Sequence, residues 1–430
     1  MYITGWTALL AVLGVVPAIV LQDRAATWLW LFAVAALALL DVALAPQPTN
    51  LGVRRSVPGS VRLTESTTGT VSVANNGRRQ VHGAVRDAWQ PSAGASSTRH
   101  GFDLRPGQAR DFTTVFRPTR RGDRHADRIT VRVHGPLRLA GRQRSIEVAD
   151  TLRVLPEFAS RRHLPSRLAR LREIDGQTAV PLKGAGSEFD SLREYVIGDD
   201  VRSIDWRATA RRADVVVRTY RPERDRRVFI VVDTSRLSAA RVGDAPRLDA
   251  SIEATLLLTA LASKAGDRVQ VTAYDRQERA RAMGTTGAGV MPKLAQALAG
   301  VEPELLEPDW PAIVRLTQDR LSQRALVVLL TTIDTSTVES GLLEAVAALA
   351  HSHVVMVASV DDPEADTMLS GREDSDEVYA AAAAARGVLE RDTVTTRLRQ
   401  LRAEVVTALP ENLAPAVADR YLALKASGRL

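Results

Sequence analysis

The chain has 430 residues, 45% of them apolar, which is enough for two or three domains with real cores and excludes a wholly disordered polypeptide. Lys and Arg total 57 against 50 acidic residues, and only Lys183, Lys264, Lys293 and Lys425 are lysine, an arginine bias that reads as a GC-rich coding sequence more than as a chemistry. No cysteine is present, so disulfides, thiolate metal sites and cysteine nucleophiles are excluded together.

From Ile3 to Leu21 there is no charge, and after Gln22, Asp23 and Arg24 a second apolar run extends from Ala25 to Leu40, reaching Ala45 if Asp41 is tolerated near its end. Each run is long enough to cross a hydrocarbon core of about 30 Å. Met1 to Trp6 contains no Lys or Arg, unlike the positive start of a signal peptide, so cleavage is not expected. Tyr2, Trp6, Trp28 and Trp30 lie toward run ends, as interfacial aromatics do, and the short polar link permits only a tight hairpin. Residues 1–45 therefore read as a transmembrane helical hairpin in the cell membrane, two spans with both ends on one side. Arg54 and Arg55 follow the second span while the link is nearly neutral, so the positive-inside rule places the soluble part in the cytoplasm.

Residues 46–157 show short alternating runs and turn residues, with strands expected at Thr70–Ala74, Val81–Trp89, Arg110–Phe116, Ile129–Val133 and Ser145–Leu155, as in a small antiparallel β-sandwich. Between positions 51 and 160 there are 19 Arg and 9 acidic residues, a net charge of +10 that suits anionic headgroups beside the hairpin or the polar faces of strands. Residues 158–227 link this domain to 228–430, where apolar strands alternate with amphipathic helices in the pattern of an α/β domain with a mainly parallel sheet. Its strands are expected at Val228–Val232, Arg268–Tyr274, Ala325–Leu330, Val354–Val360 and Glu404–Ala408. Helices include one through Leu248, Ile252, Leu256 and Leu257 that stops near Gly266, then Met291–Leu298, Val338–Leu349 and Pro415–Leu424. Asp361–Glu377 is acid-rich and reads as an exposed loop, and Ala380–Ala385 as a helix segment.

The chain carries no Walker A loop, no dinucleotide-binding glycine motif, no H-E-x-x-H and no nucleophile elbow, so it is not read as an enzyme. His351 and His353 read as structural. Asp233-Thr234-Ser235-Arg236-Leu237-Ser238 stands at the end of the first α/β strand, where open sheets collect ligands. It resembles the metal-ion-dependent adhesion site of von Willebrand factor A domains, Asp-x-Ser-x-Ser, whose oxygens hold a Mg²⁺-like ion. Asp233 and Ser235 match, Leu237 takes the place of the second serine with Ser238 one residue out of register, and Thr332 stands where the family has a further Asp, with Asp334 two residues later. Thr285 and Thr286 could add a hydroxyl. The resemblance implies a metal set of Asp233, Ser235 and Asp334 that binds Mg²⁺ weakly or with a partner's help.

The densest motif is Gly186 to Arg212. Through Arg193, Tyr195, Gly198-Asp199-Asp200, Arg202, Ile204-Asp205-Trp206 and Ala210-Arg211 it resembles the bacterial family catalogued as domain of unknown function fifty-eight. The resemblance extends to Arg117–Asp123 (RPTRRGD) and His134–Arg142 (HGPLRLAGR), and it implies a membrane anchor, a β-rich segment, a von Willebrand factor A-like (Rossmann-like) domain and a MoxR-type AAA+ ATPase partner in protein assembly or maturation. Glu188–Arg227 has 10 Arg and 9 acidic residues, too balanced for a nucleic-acid groove. The balance suggests ion pairs of Asp199, Asp200 and Asp205 with Arg193, Arg202 and Arg211, and packing of Trp206 among the guanidinium groups. Such a segment is either a clamp between domains or a partner-binding surface. The expected protein is multidomain and acts as a non-enzymatic interaction protein at the membrane. The alternatives are a metal-dependent hydrolase, which lacks a paired base and nucleophile motif, and a passive membrane scaffold.

Overall fold

Along Thr67–Asn75 and Val81–Asp87 every second side chain turns inward, so Val71, Val73, Val81 and Val85 meet in one core with Leu51, Phe102, Leu104, Phe112, Ile129, Val131 and Val133. The computed structural model describes every residue except 22–23, 178–187, 197–198, 213, 222–225 and 285–288. It divides the chain into two units, Met1–Glu157 and Phe158–Leu430. In the first unit one sheet has the order Leu51–Ser56, Thr67–Asn75, Ala109–Phe116, Ala95–Ser96. The other runs Tyr2–Ile3, Ala140–Leu155, Gly122–His134, Val81–Asp87, Arg99–Leu104. Neighbours are antiparallel except Ser60–Arg62, which lies parallel to the end of Ala140–Leu155. The two inner faces enclose the core, and the strands at Gly122–His134 and Ala140–Leu155 are far longer than the alternation alone suggests. A bulge between Glu147 and Asp150 lets the latter strand bend.

Arg55 has an internal role in this unit. Its guanidinium donates to Asp87 at 2.5 and 3.1 Å and to the carbonyl of Ala126 at 3.1 Å, and it lies over the Trp89 ring. The pair is almost wholly covered, so Arg55 is not the free surface charge that the positive-inside count treats it as. Arg54, the neighbour on the same strand, is exposed.

The first apolar run opens as the short strand Tyr2–Ile3 and continues as two helices, Gly5–Leu13 and Val15–Leu21. They meet at Gly14, where a Cβ would come within 2.7 Å of the Trp30 ring. Trp30 also donates its indole N–H to the carbonyl of Leu10 at 2.8 Å, so the run folds back on the single helix Arg24–Leu44. Among the described residues one helical stretch, Arg24–Asn50 with mean hydropathy 2.2, is long and apolar enough to cross a membrane. Trp6, Trp28, Leu29 and Phe32 stand exposed on these helices. Gln22 and Asp23, the link of the expected hairpin, lie outside the described residues.

Asp41, the one acidic residue of Arg24–Leu44, is fully buried. It accepts the backbone N–H groups of Leu137 (2.7 Å), Leu139 (2.8 Å) and Ala140 (2.8 Å). The run His134–Arg142 is therefore a cradle for this carboxylate, and Gly135 is required because its Cβ would fall 2.2 Å from Asp41 Oδ1. Arg142 donates to the carbonyl of Val42 at 3.0 Å, and the Tyr2 hydroxyl is 2.7 Å from His134 Nδ1. The helix is thus joined to the β-sheets by ionic and backbone hydrogen bonds rather than by apolar packing alone.

In the second unit the residues of Arg227–Asp233 alternate between two faces. Val228, Ile230 and Val232 pack under the helices Arg247–Lys264, Val290–Ala299 and Pro410–Ala426, while Phe229 and Val231 pack on the other side under Trp310–Arg320, Leu342–Ala350 and Ser375–Gln400. The sheet has six strands in the order Glu278–Gly284, Arg268–Tyr274, Arg227–Asp233, Leu326–Leu330, Val354–Val360, Glu404–Ala408. All are parallel except the first, an antiparallel edge strand that the sequence reading did not contain. Asp361–Glu377 is not a loop: it holds the helix Pro363–Ser370 and the start of Ser375–Gln400, with Asp362 and Asp374 as side-chain N-caps. Acid-rich sequence here marks helix beginnings, where carboxylates meet free N–H groups. The expected helix Val338–Leu349 is two, Thr335–Glu339 and Leu342–Ala350, separated by Gly341 at φ 106°.

Asp41→Ala strands the buried N–H groups of Leu139 and Ala140, each costing about 1–3 kcal/mol when unpaired, and frees the part-buried Leu137 N–H. We expect the full chain to lose thermal stability in the first unit and to expose the turn 135–140 to protease, while amide exchange in the α/β sheet is unchanged.

Candidate functional site

Arg227–Asp233 is flanked by Arg268–Tyr274 on one side and Leu326–Leu330 on the other, so the chain leaves it in opposite directions. In open α/β sheets this reversal opens a crevice at the carboxyl ends of the strands. Asp233 is the last residue of its strand, and the chain then turns through Arg236–Ala239. Asp233 Oδ1 accepts the Ser235 backbone N–H at 2.8 Å, and Oδ2 accepts the hydroxyl of Thr331, just past Leu326–Leu330, at 2.6 Å. That second bond crosses the crevice. Burial pushes the Asp233 carboxyl above the usual carboxylate range, and these bonds offset the rise only in part. The Ser235 hydroxyl is buried beside the same carboxylate and, with the Ser235 N–H and Thr331, draws its pKa back down.

Asp275, one residue past Arg268–Tyr274, shares this end of the sheet. Burial would raise it too, but Arg279 (2.7 Å), the Arg276 and Gln277 N–H groups and the Thr234 hydroxyl (3.0 Å) outweigh that and hold it below the usual range. One crevice therefore carries a carboxylate held ionised and another pushed toward its neutral form, the pattern by which a pair divides acid and base roles. Thr331 and Asp275 were missed from sequence. The available signal is that each directly follows an apolar strand next to Arg227–Asp233.

Asp334 has a different task. Its Oδ1 accepts from the Ser336 hydroxyl and from the N–H and hydroxyl of Thr337, at 2.7–2.8 Å, capping the helix Thr335–Glu339. Burial raises its pKa and these bonds more than reverse the effect. The Ser238 hydroxyl closes its own turn on the Ser235 carbonyl at 2.7 Å. Among the described residues no three His, Asp or Glu side chains converge where a metal could sit. Asp233 and Ser235 supply hard oxygens, but two do not satisfy the near-octahedral shell that Mg²⁺ demands. Thr285 and Thr286 lie outside the described residues.

The signature segment, within the second unit, has its own two-stranded sheet. Glu188–Glu194 and Val216–Arg221 pair as an antiparallel hairpin, and between them lie the turn Val201–Ser203 and the helix Trp206–Arg212. Arg193 pairs with Asp199 at 2.6 Å, and the other Asp199 oxygen accepts the Val196 N–H. Asp200 caps the turn through the Arg202 N–H at 3.0 Å. Asp205 caps the helix through the N–H groups of Arg207 and Ala208, and its second oxygen takes Arg218 Nε at 2.8 Å. The Ala208 N–H first and Arg218 next hold the Asp205 carboxyl below its ordinary value. Arg218 was not among the expected partners. Arg202 and Arg211 are exposed and make no ion pair among the described residues. Trp206 does not pack among guanidinium groups: as the first residue of the helix it points to solvent, 68% exposed. Tyr195 joins through its backbone, its N–H donating to the Val215 carbonyl at 2.8 Å. Gly198 lies outside the described residues.

Two substitutions test these assignments. With a folded-state pKa above the unfolded value, Asp233 costs stability that grows as pH rises from its unfolded pKa, about 3.9, toward the folded one. Asp233→Asn removes that charge, keeping an oxygen for Ser235 and an amide for Thr331. We expect the variant to melt at or above the parent at pH 7, with the difference vanishing near pH 4. At Asp205, asparagine keeps the capping oxygen and alanine loses it, so hydrogen exchange across 206–212 should quicken far more in Asp205→Ala than in Asp205→Asn.

Comparison with known proteins places these features. An uncharacterized protein of Bacillus subtilis, YeaD, is 27% identical over 175 residues, 40% of this chain and 42% of that one. An uncharacterized protein of Mycobacterium tuberculosis H37Rv is 28% identical over 183 residues, 43% of this chain and 54% of that one. The chain thus spans about half the length of these relatives. Among solved structures, the ASH/PapD-like domain of human CEP192 covers 26% of this chain and 89% of its own, with 13% identity and a TM-score of 0.18. A CARDB domain from Pyrococcus furiosus covers 26% and 91%, with 18% identity and a TM-score of 0.19. Residues 191–401, which hold most of the signature hairpin and of the α/β sheet, match the family described as protein of unknown function DUF58.

Proposed function

We propose that this is a membrane-anchored interaction protein with no catalytic activity of its own, working with a MoxR-type AAA+ ATPase in the assembly or maturation of other proteins. In this reading the N-terminal helices make two spans, and the α/β unit serves as a von Willebrand factor A-like domain. The partner surface is the signature hairpin. One observation carries the proposal: Arg193–Asp199 and Arg218–Asp205 pair within that hairpin, yet Val196, Val201 and Trp206 stand 60%, 63% and 68% exposed. Large apolar side chains beside free arginines are the composition of a docking surface, and a purely internal clamp would cover them.

The crevice at Asp233 fits a shared metal better than a resident one. Asp233 and Ser235 would give two oxygens, and a partner carboxylate would complete the shell of a Mg²⁺ ion, so that the metal bridges the two proteins. Asp334, the third residue of the resemblance, would join only by giving up part of its capping role. A hydrolase reading would rest on Asp233 and Asp275 alone, with no nucleophile assigned.

In the full chain, Trp206→Ala should abolish co-purification of the ATPase while melting is unchanged; retained capture would return the segment to a structural clamp. Calorimetry should detect Mg²⁺ binding only with the partner present. Micromolar binding by the protein alone that disappears in Asp233→Ala would instead establish a resident site. Protease added to intact cells should leave both units uncut, and cleavage near Arg54 would place them outside and remove a cytosolic ATPase as partner.

A further inference from the structure

The far edge of the α/β sheet carries a second surface that the signature hairpin does not share. Among the described residues Glu404–Ala408 is the last strand of the sheet, paired on one side only, with Val354–Val360. Ala408 gives its carbonyl to the Asp361 N–H on the paired side at 2.8 Å. Backbone groups alternate along a strand, so Val405 and Thr407 direct their N–H and C=O groups to the open side. Thr407 is exposed and Val405 half-buried.

Two clefts of about 570 and 530 Å³ flank this edge and share Arg399, Val405 and Arg420. Their charged lining is five arginines, Arg170, Arg399, Arg402, Arg420 and Arg429, against Glu404 and Asp419. Both acids are already engaged: Glu404 by Arg420 and Arg429, and Asp419 by Arg167 at 2.6 Å. Arg170, Arg399 and Arg402 are exposed and make no ion pair among the described residues. An unpaired strand edge is normally blunted by charge or cover. Here the charge is of one sign and lines clefts beside the edge, and that complementarity selects the occupant.

We propose that this edge receives an extended acidic segment of a partner protein, which adds as a seventh strand on Val405 and Thr407 while its carboxylates meet Arg170, Arg399 and Arg402. Main-chain hydrogen bonds would supply affinity and the arginines the choice of sequence.

The test uses the full chain in detergent and a fluorescent peptide in which Glu alternates with Thr, read by anisotropy. Binding should weaken at least about tenfold when Lys replaces Glu in the peptide, and as much in Arg399→Glu. The decisive variant is Thr407→Pro. It removes an N–H that the folded sheet does not use, so melting should be preserved, while the added strand loses a donor and binding should again fall about tenfold. Peptide binding that is unaffected by Thr407→Pro would overturn the strand-addition account. Binding of phosphatidylserine vesicles or single-stranded DNA as tight as that of the peptide, and equally insensitive to Thr407→Pro, would overturn it in favour of a general anion surface. Because Trp206 is outside this edge, loss of binding here and loss of ATPase capture in Trp206→Ala are separable results.

Discussion

A carboxylate taken out of water must be given donors or a proton, and this chain meets that constraint at each point where distant segments join. Asp41 is held by three N–H groups from a turn almost a hundred residues away. Asp87 is held by Arg55 and by the Trp89 indole at 2.8 Å. In the second unit Asp275 gathers Arg279, Thr234 and two backbone N–H groups. Asp267, buried beneath the last helix, takes the Tyr421 hydroxyl and lies 3.4 Å from Lys425 Nζ. With no cysteine available for crosslinks, buried Asp–donor sets are what fix these junctions, because breaking one leaves several buried polar groups unpaired at once.

Asp233 is the exception that makes the crevice interesting. Among the described residues its donors come from Ser235 and Thr331 and none is a cation, and it sits where the strand order reverses. Its neighbour Asp275 is amply satisfied, with an arginine among its donors. A buried carboxylate with hydroxyl and backbone donors but no arginine or lysine is a place where an outside cation, or a proton, lowers the energy of the folded state. The same arithmetic explains why Asp334, with three donors on one oxygen, is committed to its own helix.

The signature hairpin obeys the constraint differently. Asp199, Asp200 and Asp205 each accept backbone N–H groups within a few residues, so they hold turns and a helix start in place while remaining near solvent. Val216 and Val217 are buried, and local capping already shapes the turn and helix start between the strands. That frees Trp206 and Val201 for the surface, although such residues are ordinarily drawn into a core.

Periodicity alone determined much of this protein. The apolar, β-branched patterning located the strands Arg268–Tyr274, Val354–Val360 and Glu404–Ala408 to the residue, the middle one as a wholly buried run and the outer two as part-buried ones. The apolar runs Ile3–Leu21 and Ala25–Leu40 were equally legible, because no charged residue interrupts either. The pairing Arg193–Asp199 could also be anticipated, as both lie within a few residues of each other. Partners far apart in the chain could not. The cradle around Asp41, the Thr331 bond to Asp233, the role of Asp275 and the burial of Arg55 all join positions between about thirty and one hundred residues apart. The acid-rich stretch after Asp361 was misread because composition distinguishes poorly between a solvated loop and a row of helix caps. Sequence spacing encodes which face a residue takes within its own element, and only the packing of elements decides which donor meets which carboxylate.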